Sequence, residues 1–221
     1  MRVFKNRADA GQQLAEKLLS YQNKKDVLVL ALPRGGVPVA FEIANILHVP
    51  MSVVLVRKLG IPGQEELAMG AVSEGNVRIL NQELIQHLNI SEKQIQHVLQ
   101  KEQQELARRL QRYRQGKPLL KLNNKTIILV DDGIATGATF KAAIQALKTS
   151  NPKKLVIATP VASHSSFQEI TSLVDESVCL VTPEPFYGVG QWYQRFDQIS
   201  DEEVLNLLQT SPVKFDHLEQ K

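Results

Sequence analysis

Five short runs of this chain contain almost nothing but apolar residues: VLVLAL (27–32), SVVLVR (52–57), KTIILV (125–130), KLVIAT (154–159) and SVCLV (177–181). A strand that alternates apolar and polar residues can leave one face wet. These runs do not alternate, so each must be covered on both faces. Between them lie stretches with helical spacing. Residues 8–22 carry Leu14, Leu18 and Leu19 on one face; residues 37–49, 139–150 and 164–173 continue the pattern. Buried strands alternating with helices predict an α/β fold, a five-stranded parallel sheet core with helices on both faces. A chain of 221 residues, 43% of them hydrophobic, can bury such a core as a single domain spanning 1–221.

Three segments interrupt the pattern. Residues 58–76 (KLGIPGQEELAMGAVSEGN) contain Gly60, Gly63, Gly70 and Gly75 and predict a flexible loop. VRIL (77–80) can pair with AMGAV across a Glu-Gly-Asn turn, so 58–81 reads as loop plus hairpin. Residues 91–116 predict a long helix, capped by Ser91 and ending near Gly116. Residues 182–208 collect Phe186, Tyr187, Trp192, Tyr193 and Phe196 ahead of EEVLNLL (202–208), a closing helix. The aromatic group reads equally as a small core cluster or as a hood over a ligand.

Several function classes find no support. Net charge is +3, too balanced to indicate nucleic-acid binding. The stripe Arg108, Arg109, Arg112 and Arg114 is interleaved with Glu102 and Glu105, as on a solvated helix or one facing a second copy in a homodimer. The N-terminus MRVFKNRADAG has no apolar leader, and no apolar run reaches the length of a membrane span. The single cysteine, Cys179, cannot form an internal disulfide, which fits a reducing cytoplasm. The five histidines and Cys179 show no metal-ligand spacing.

The sharpest local signal is IILVDDGIATGAT (127–139), a buried strand that ends in two carboxylates and then a Gly and Thr cluster. Gly137 allows close backbone approach, Thr136 and Thr139 supply hydroxyls, and the helix that follows presents free N–H groups. These suit a phosphate. No Gly-Lys-Ser/Thr follows, so this is not a P-loop, and no GxGxxG turn is present. Carboxylates repel phosphate but accept hydrogen bonds from hydroxyls. A vicinal diol a short distance from a monophosphate satisfies both halves, and a ribose 5-phosphate has that form.

VDDGIATGAT resembles the signature of the type I phosphoribosyltransferases, which bind 5-phosphoribosyl-1-pyrophosphate (PRPP). LPRGGVPVA after the first strand is similar to the family's pyrophosphate loop, which often contains a non-proline cis peptide. VRKLG after the second strand stands where the family has basic residues ahead of a flexible catalytic loop. ELAMGAV and TPEPFYGVGQWY extend the resemblance to a group of bacterial phosphoribosyltransferase-like proteins, over roughly residues 4–208.

The resemblance implies a residue-by-residue site. Asp131 and Asp132 would bind the ribose hydroxyls and favour a positively charged ribose in the transition state. Ala135, Thr136, Gly137, Ala138 and Thr139 would hold the 5-phosphate. Arg34, Gly35, Gly36, Arg57 and Lys58 would receive the pyrophosphate, with Lys58 counted beside the two aspartates as catalytic. Tyr187 and Trp192 would form an acceptor hood, and the 58–76 loop would close to exclude water. Mg2+ would bind mainly through PRPP itself rather than through protein ligands. Ala135 stands where 6-oxopurine enzymes carry a proton-handling aspartate, which argues against a hypoxanthine–guanine acceptor and fits adenine-type and several other members, whose motifs also have a small residue there.

The implied function is transfer of a 5-phosphoribosyl group from PRPP to a nitrogen acceptor, a nucleobase, with release of pyrophosphate. The alternative is a non-catalytic regulatory protein that binds PRPP or a nucleotide. A phosphohydrolase or phosphorylase would need a water-activating group that the motif does not require.

Overall fold

The computed structural model describes residues 3–115, 120–211 and 213. Where the sequence suggested one domain, the described residues group into two compact units. The first unit holds residues 1–53, 122–137 and 152–221; the second holds 54–121 and 138–151.

The first unit is built on a parallel sheet of five strands: β1 (Val27–Ala31), β2 (Met51–Val53), β6 (Thr126–Val130), β7 (Lys154–Val161) and β8 (Glu176–Val181). Their order is β2-β1-β6-β7-β8, and every pairing is parallel. All five residues of β1 and of β6 are buried, which requires cover on both faces, as their unbroken apolar sequences predict. Helices α1 (Arg7–Glu16) and α2 (Gly36–Leu47) pack on each other; α2 meets β1, β2 and β6, and α1 meets β7 and β8. Helix α6 (His164–Thr171) links β7 to β8, and α7 (Asp201–Thr210) packs on α2.

The second unit corrects two expectations. The run 52–57 is not one strand: β2 stops at Val53, and Arg57 belongs to β3 (Val56–Ile61) of another sheet. Segment 58–76 is not an open loop. Strand β3 pairs antiparallel with β4 (Gln64–Ser73), which pairs with β5 (Val77–Leu80) in the hairpin expected across residues 74–76. Leu59 and Ile61 on β3 and Met69 and Ala71 on β4 are buried at alternate positions, and Val72 is buried as well. Helices α3 (Gln82–His87), α4 (Glu92–Arg114) and α5 (Ala138–Lys148) pack on these strands. Ser91 starts α4 through a full capping box with Gln94. Gln115 ends it in the left-handed region, and Gly116 lies outside the described residues. Arg108 and Arg109 both bond Glu105, at i,i+3 and at the expected i,i+4 spacing.

Candidate functional site

Strands β1 and β6 run side by side in register, with Ala31 opposite Val130. The turn after β1 and the turn after β6 therefore emerge together at the C-terminal end of the sheet, where ligands of such folds bind. The contact is tight. A Cβ on Gly35 would lie 2.0 Å from Asp132 Oδ2, and one on Gly36 would lie 2.7 Å from the Val130 carbonyl oxygen. Glycine is thus required at both positions for the two turns to meet. The Pro33–Arg34 peptide is cis, as the resemblance led us to expect.

Asp131 and Asp132 stand adjacent and half-buried, and the Asp132 backbone N–H donates to Asp131 Oδ1 at 2.9 Å. Burial, followed by the charge of Asp132, pushes the Asp131 carboxyl well above the usual carboxylate range. Burial also raises Asp132, but Arg7 opposes that rise. Arg7 Nε donates to Asp132 Oδ2 at 2.8 Å, and its Nη1 donates to the Asp197 carbonyl at 2.8 Å. The guanidinium carbon lies 3.9 Å from the centre of the Phe196 ring. Tyr193 donates its hydroxyl to the Asp132 carbonyl at 2.6 Å and stacks on Phe196. A cavity of about 390 Å³ opens here, lined by Arg7, Arg34, Gly35, Asp132, Phe196 and residues 197–199.

The chain after the carboxylates is pinned from β7 and α6. The Ile134 N–H donates to the Val161 carbonyl at 2.9 Å, and the Ser163 N–H donates to the Ile134 carbonyl at 2.9 Å. The Ala135 carbonyl accepts from the hydroxyls of Ser163 at 2.9 Å and Ser166 at 2.7 Å. Gly137 has φ +72°, and a Cβ there would lie 2.7 Å from Ile170 Cδ1. Ala135 and Thr136 are exposed, and α5 begins just beyond Gly137, at Ala138; Thr139 is exposed in its first turn.

Arg34 lines this cavity, and the remaining expected residues have contacts of their own. Arg34 is half-exposed, with Nη1 3.8 Å from Asp201 Oδ1 at the start of α7. Arg57 lies on β3 and donates to Glu102 of α4 at 2.7 Å and 2.6 Å, bracing its own unit. Lys58 follows it on the same strand, half-buried. The hood expectation is split. Tyr187 is 77% exposed, whereas Trp192 is buried with Phe4, Ala10, Val161 and Tyr193. Trp192 is a core residue, with no open face to offer an acceptor.

Sequence reasoning missed Arg7, and it grouped Tyr193 and Phe196 with the late aromatics without linking them to Asp132, which these three residues hold. The partners lie 125 and 61 residues away along the chain for Arg7 and Tyr193, so no local spacing marks them. Among the described residues no cluster of three or more His, Cys, Asp or Glu side chains could hold a metal ion. Among the same residues no helix is long and apolar enough to cross a membrane.

Comparisons with known proteins point to one family. The family model described as the phosphoribosyl transferase domain matches residues 3–190. Two Mycobacterium tuberculosis proteins, each named "Putative phosphoribosyl transferase", are 45% identical over 208 residues, 94% of this chain and 47% of theirs. This chain spans about half the length of those curated relatives. The crystal structure of TT1426 from Thermus thermophilus matches with a TM-score of 0.86 at 36% identity, over 96% of this chain and 99% of that one. The chain belongs to the phosphoribosyl transferase domain family.

Proposed function

We propose that this chain transfers the 5-phosphoribosyl group from PRPP to a nitrogen of a nucleobase and releases pyrophosphate. The observation that carries the reading is the acid pair Asp131–Asp132, set against the Gly35–Gly36 turn and followed at once by the Thr-Gly-Ala-Thr loop. In the reaction the C1–oxygen bond breaks with its electron pair leaving on pyrophosphate. The acceptor nitrogen forms the new bond to C1, and its proton passes to the departing pyrophosphate. Asp131 and Asp132 accept hydrogen bonds from the ribose hydroxyls, and their charge stabilises the positive ribose. Residues 135–139 hold the 5-phosphate through backbone N–H groups and the Thr136 and Thr139 hydroxyls. Arg34, with the backbone of Gly35 and Gly36, binds pyrophosphate; the sequence pattern adds Arg57 and Lys58. Mg2+ bound to PRPP supplies positive charge against the carboxylates and the leaving group. Tyr187 is the aromatic residue free to meet the acceptor. Ala135 has no side chain that can handle a proton, which disfavours a 6-oxopurine acceptor and fits adenine-type and several other members. The free thiol of Cys179 suits a reducing cytoplasm.

Calorimetry with PRPP, with and without Mg2+, tests the first half of this reading. Binding that strengthens with Mg2+ is expected; no binding of PRPP or ribose 5-phosphate in either condition removes the reading. A screen of nucleobases with labelled PRPP tests the second half. Pyrophosphate release with one base is expected. Tight PRPP binding with no turnover against any base makes the chain a regulatory PRPP binder instead.

A further inference from the structure

The groups around Asp132 are more numerous than hydroxyl binding requires. Its Oδ2 is enclosed on one side by the Gly35 backbone, where no Cβ fits, and on the other by Arg7 Nε at 2.8 Å. Arg7 is only 8% exposed, far below what a solvated arginine shows. Three independent contacts fix its guanidinium: the Asp132 carboxylate, the Asp197 carbonyl and the Phe196 ring. Phe196 in turn stacks on Tyr193, whose hydroxyl returns to the main chain of Asp132. The circuit Asp132–Arg7–Phe196–Tyr193–Asp132 is closed. It joins the acid pair to the segment that walls the cavity of about 390 Å³.

We propose that Arg7 is a positioning residue: it engages Oδ2 of Asp132, turns Oδ1 toward the ribose, and locks that orientation to the segment 193–197. A planar guanidinium suits the task because it can donate to the carboxylate and to a carbonyl at once while one face lies on an aromatic ring. A lysine could supply charge to Asp132 but not this fixed fork. The inference rests on the proposed PRPP-binding reading of the acid pair.

The test is a double-mutant cycle on PRPP binding in the presence of Mg2+, using wild type, Arg7→Met, Asp132→Asn and the double variant. If Arg7 acts through Asp132, Arg7→Met weakens PRPP binding roughly tenfold to a hundredfold in the wild-type background, the scale of a charged hydrogen bond. In the Asp132→Asn background the same substitution costs about threefold or less. Should Arg7→Met fail to fold, Arg7→Lys takes its place in the cycle, with an expected loss of several-fold that also vanishes beside Asp132→Asn. Full affinity in the single variant overturns the inference. So does an equal loss in both backgrounds, which makes Arg7 a structural residue and leaves the PRPP-binding reading standing. If wild type itself does not bind PRPP, the functional reading falls and takes the inference with it.

Discussion

Two arginine–carboxylate pairs in this chain are near copies. Arg7 and Asp132 meet at 2.8 Å with side chains 9% and 14% exposed; Arg114 and Glu74 meet through Nε at 2.8 Å with side chains 8% and 14% exposed. Burial raises the carboxyl of both Asp132 and Glu74, and the arginine beside each opposes the rise. Their surroundings differ. Glu74 lies at the β4–β5 turn and its arginine near the end of α4, so the pair clasps a hairpin to a helix. Asp132 has a second carboxylate, Asp131, at its side and a cavity at its edge. Pair geometry therefore does not separate a brace from a site. The separating feature is a neighbouring charge that the arginine leaves unbalanced.

The largest effect should fall on the brace. Glu74→Ala removes the buried carboxylate to which Arg114 donates at 2.8 Å, and urea unfolding should record a loss of roughly 3–5 kcal/mol with PRPP affinity kept. A small loss would mean that the two pairs are less alike than their geometry indicates. The next effect concerns the site and has opposite signs in two assays. Asp131→Asn should lower turnover roughly tenfold to a hundredfold, since a charge-assisted contact is worth on the order of 1.5–3 kcal/mol. Yet it should raise stability at neutral pH. A carboxyl raised above its ordinary 3.8 binds a proton more readily folded than unfolded, so wild-type stability from this group falls as pH rises from that value through the folded one. Unfolding measured across pH should show that slope in wild type and not in Asp131→Asn.

The smallest effect should come from a pair that belongs to neither class. Glu105 accepts from Arg108 and Arg109 on an open helix face, which lowers its carboxyl from 4.5 to about 2. Its contribution is present above 4.5 and is lost as pH falls toward 2. Solvent screening keeps it small, and Glu105→Gln should shift stability by no more than about 0.5 kcal/mol at neutral pH. A larger shift would show that exposure matters less here than the contrast between brace and site assumes.

The parallel sheet was legible because strands covered on both faces leave no room for polar residues. The turn after β6 was legible for a related reason, since a strand covered on both faces that ends in two carboxylates and a glycine is an unusual local sequence. The hairpin sheet was harder to see. SVVLVR reads as one continuous strand, but β1 supplies partners only as far as Val53, opposite Ala31. The apolar residues of β3 and β4 alternate with glycine and charge, which mimics a loop. Trp192 was ambiguous because an aromatic near a site serves a core or a ligand equally well, and only its burial against Phe4 and Val161 decides between them. Arg7 could not be read at all, because its value lies in a partner distant along the chain.

The bridge between Phe4 and Tyr193, extended by the Gln194 N–H bonded to the Phe4 carbonyl, has a consequence in time. A ribosome delivers this chain from its N-terminus, and Tyr193 emerges 61 residues after Asp132. During that interval Arg7 has neither the Phe196 ring nor the Asp197 carbonyl to hold it. The nascent protein carries both aspartates without the frame that aims them. The frame is complete only once residues 193–197 have been made, and a chain cut short before residue 193 would keep both aspartates without the groups that hold Asp132.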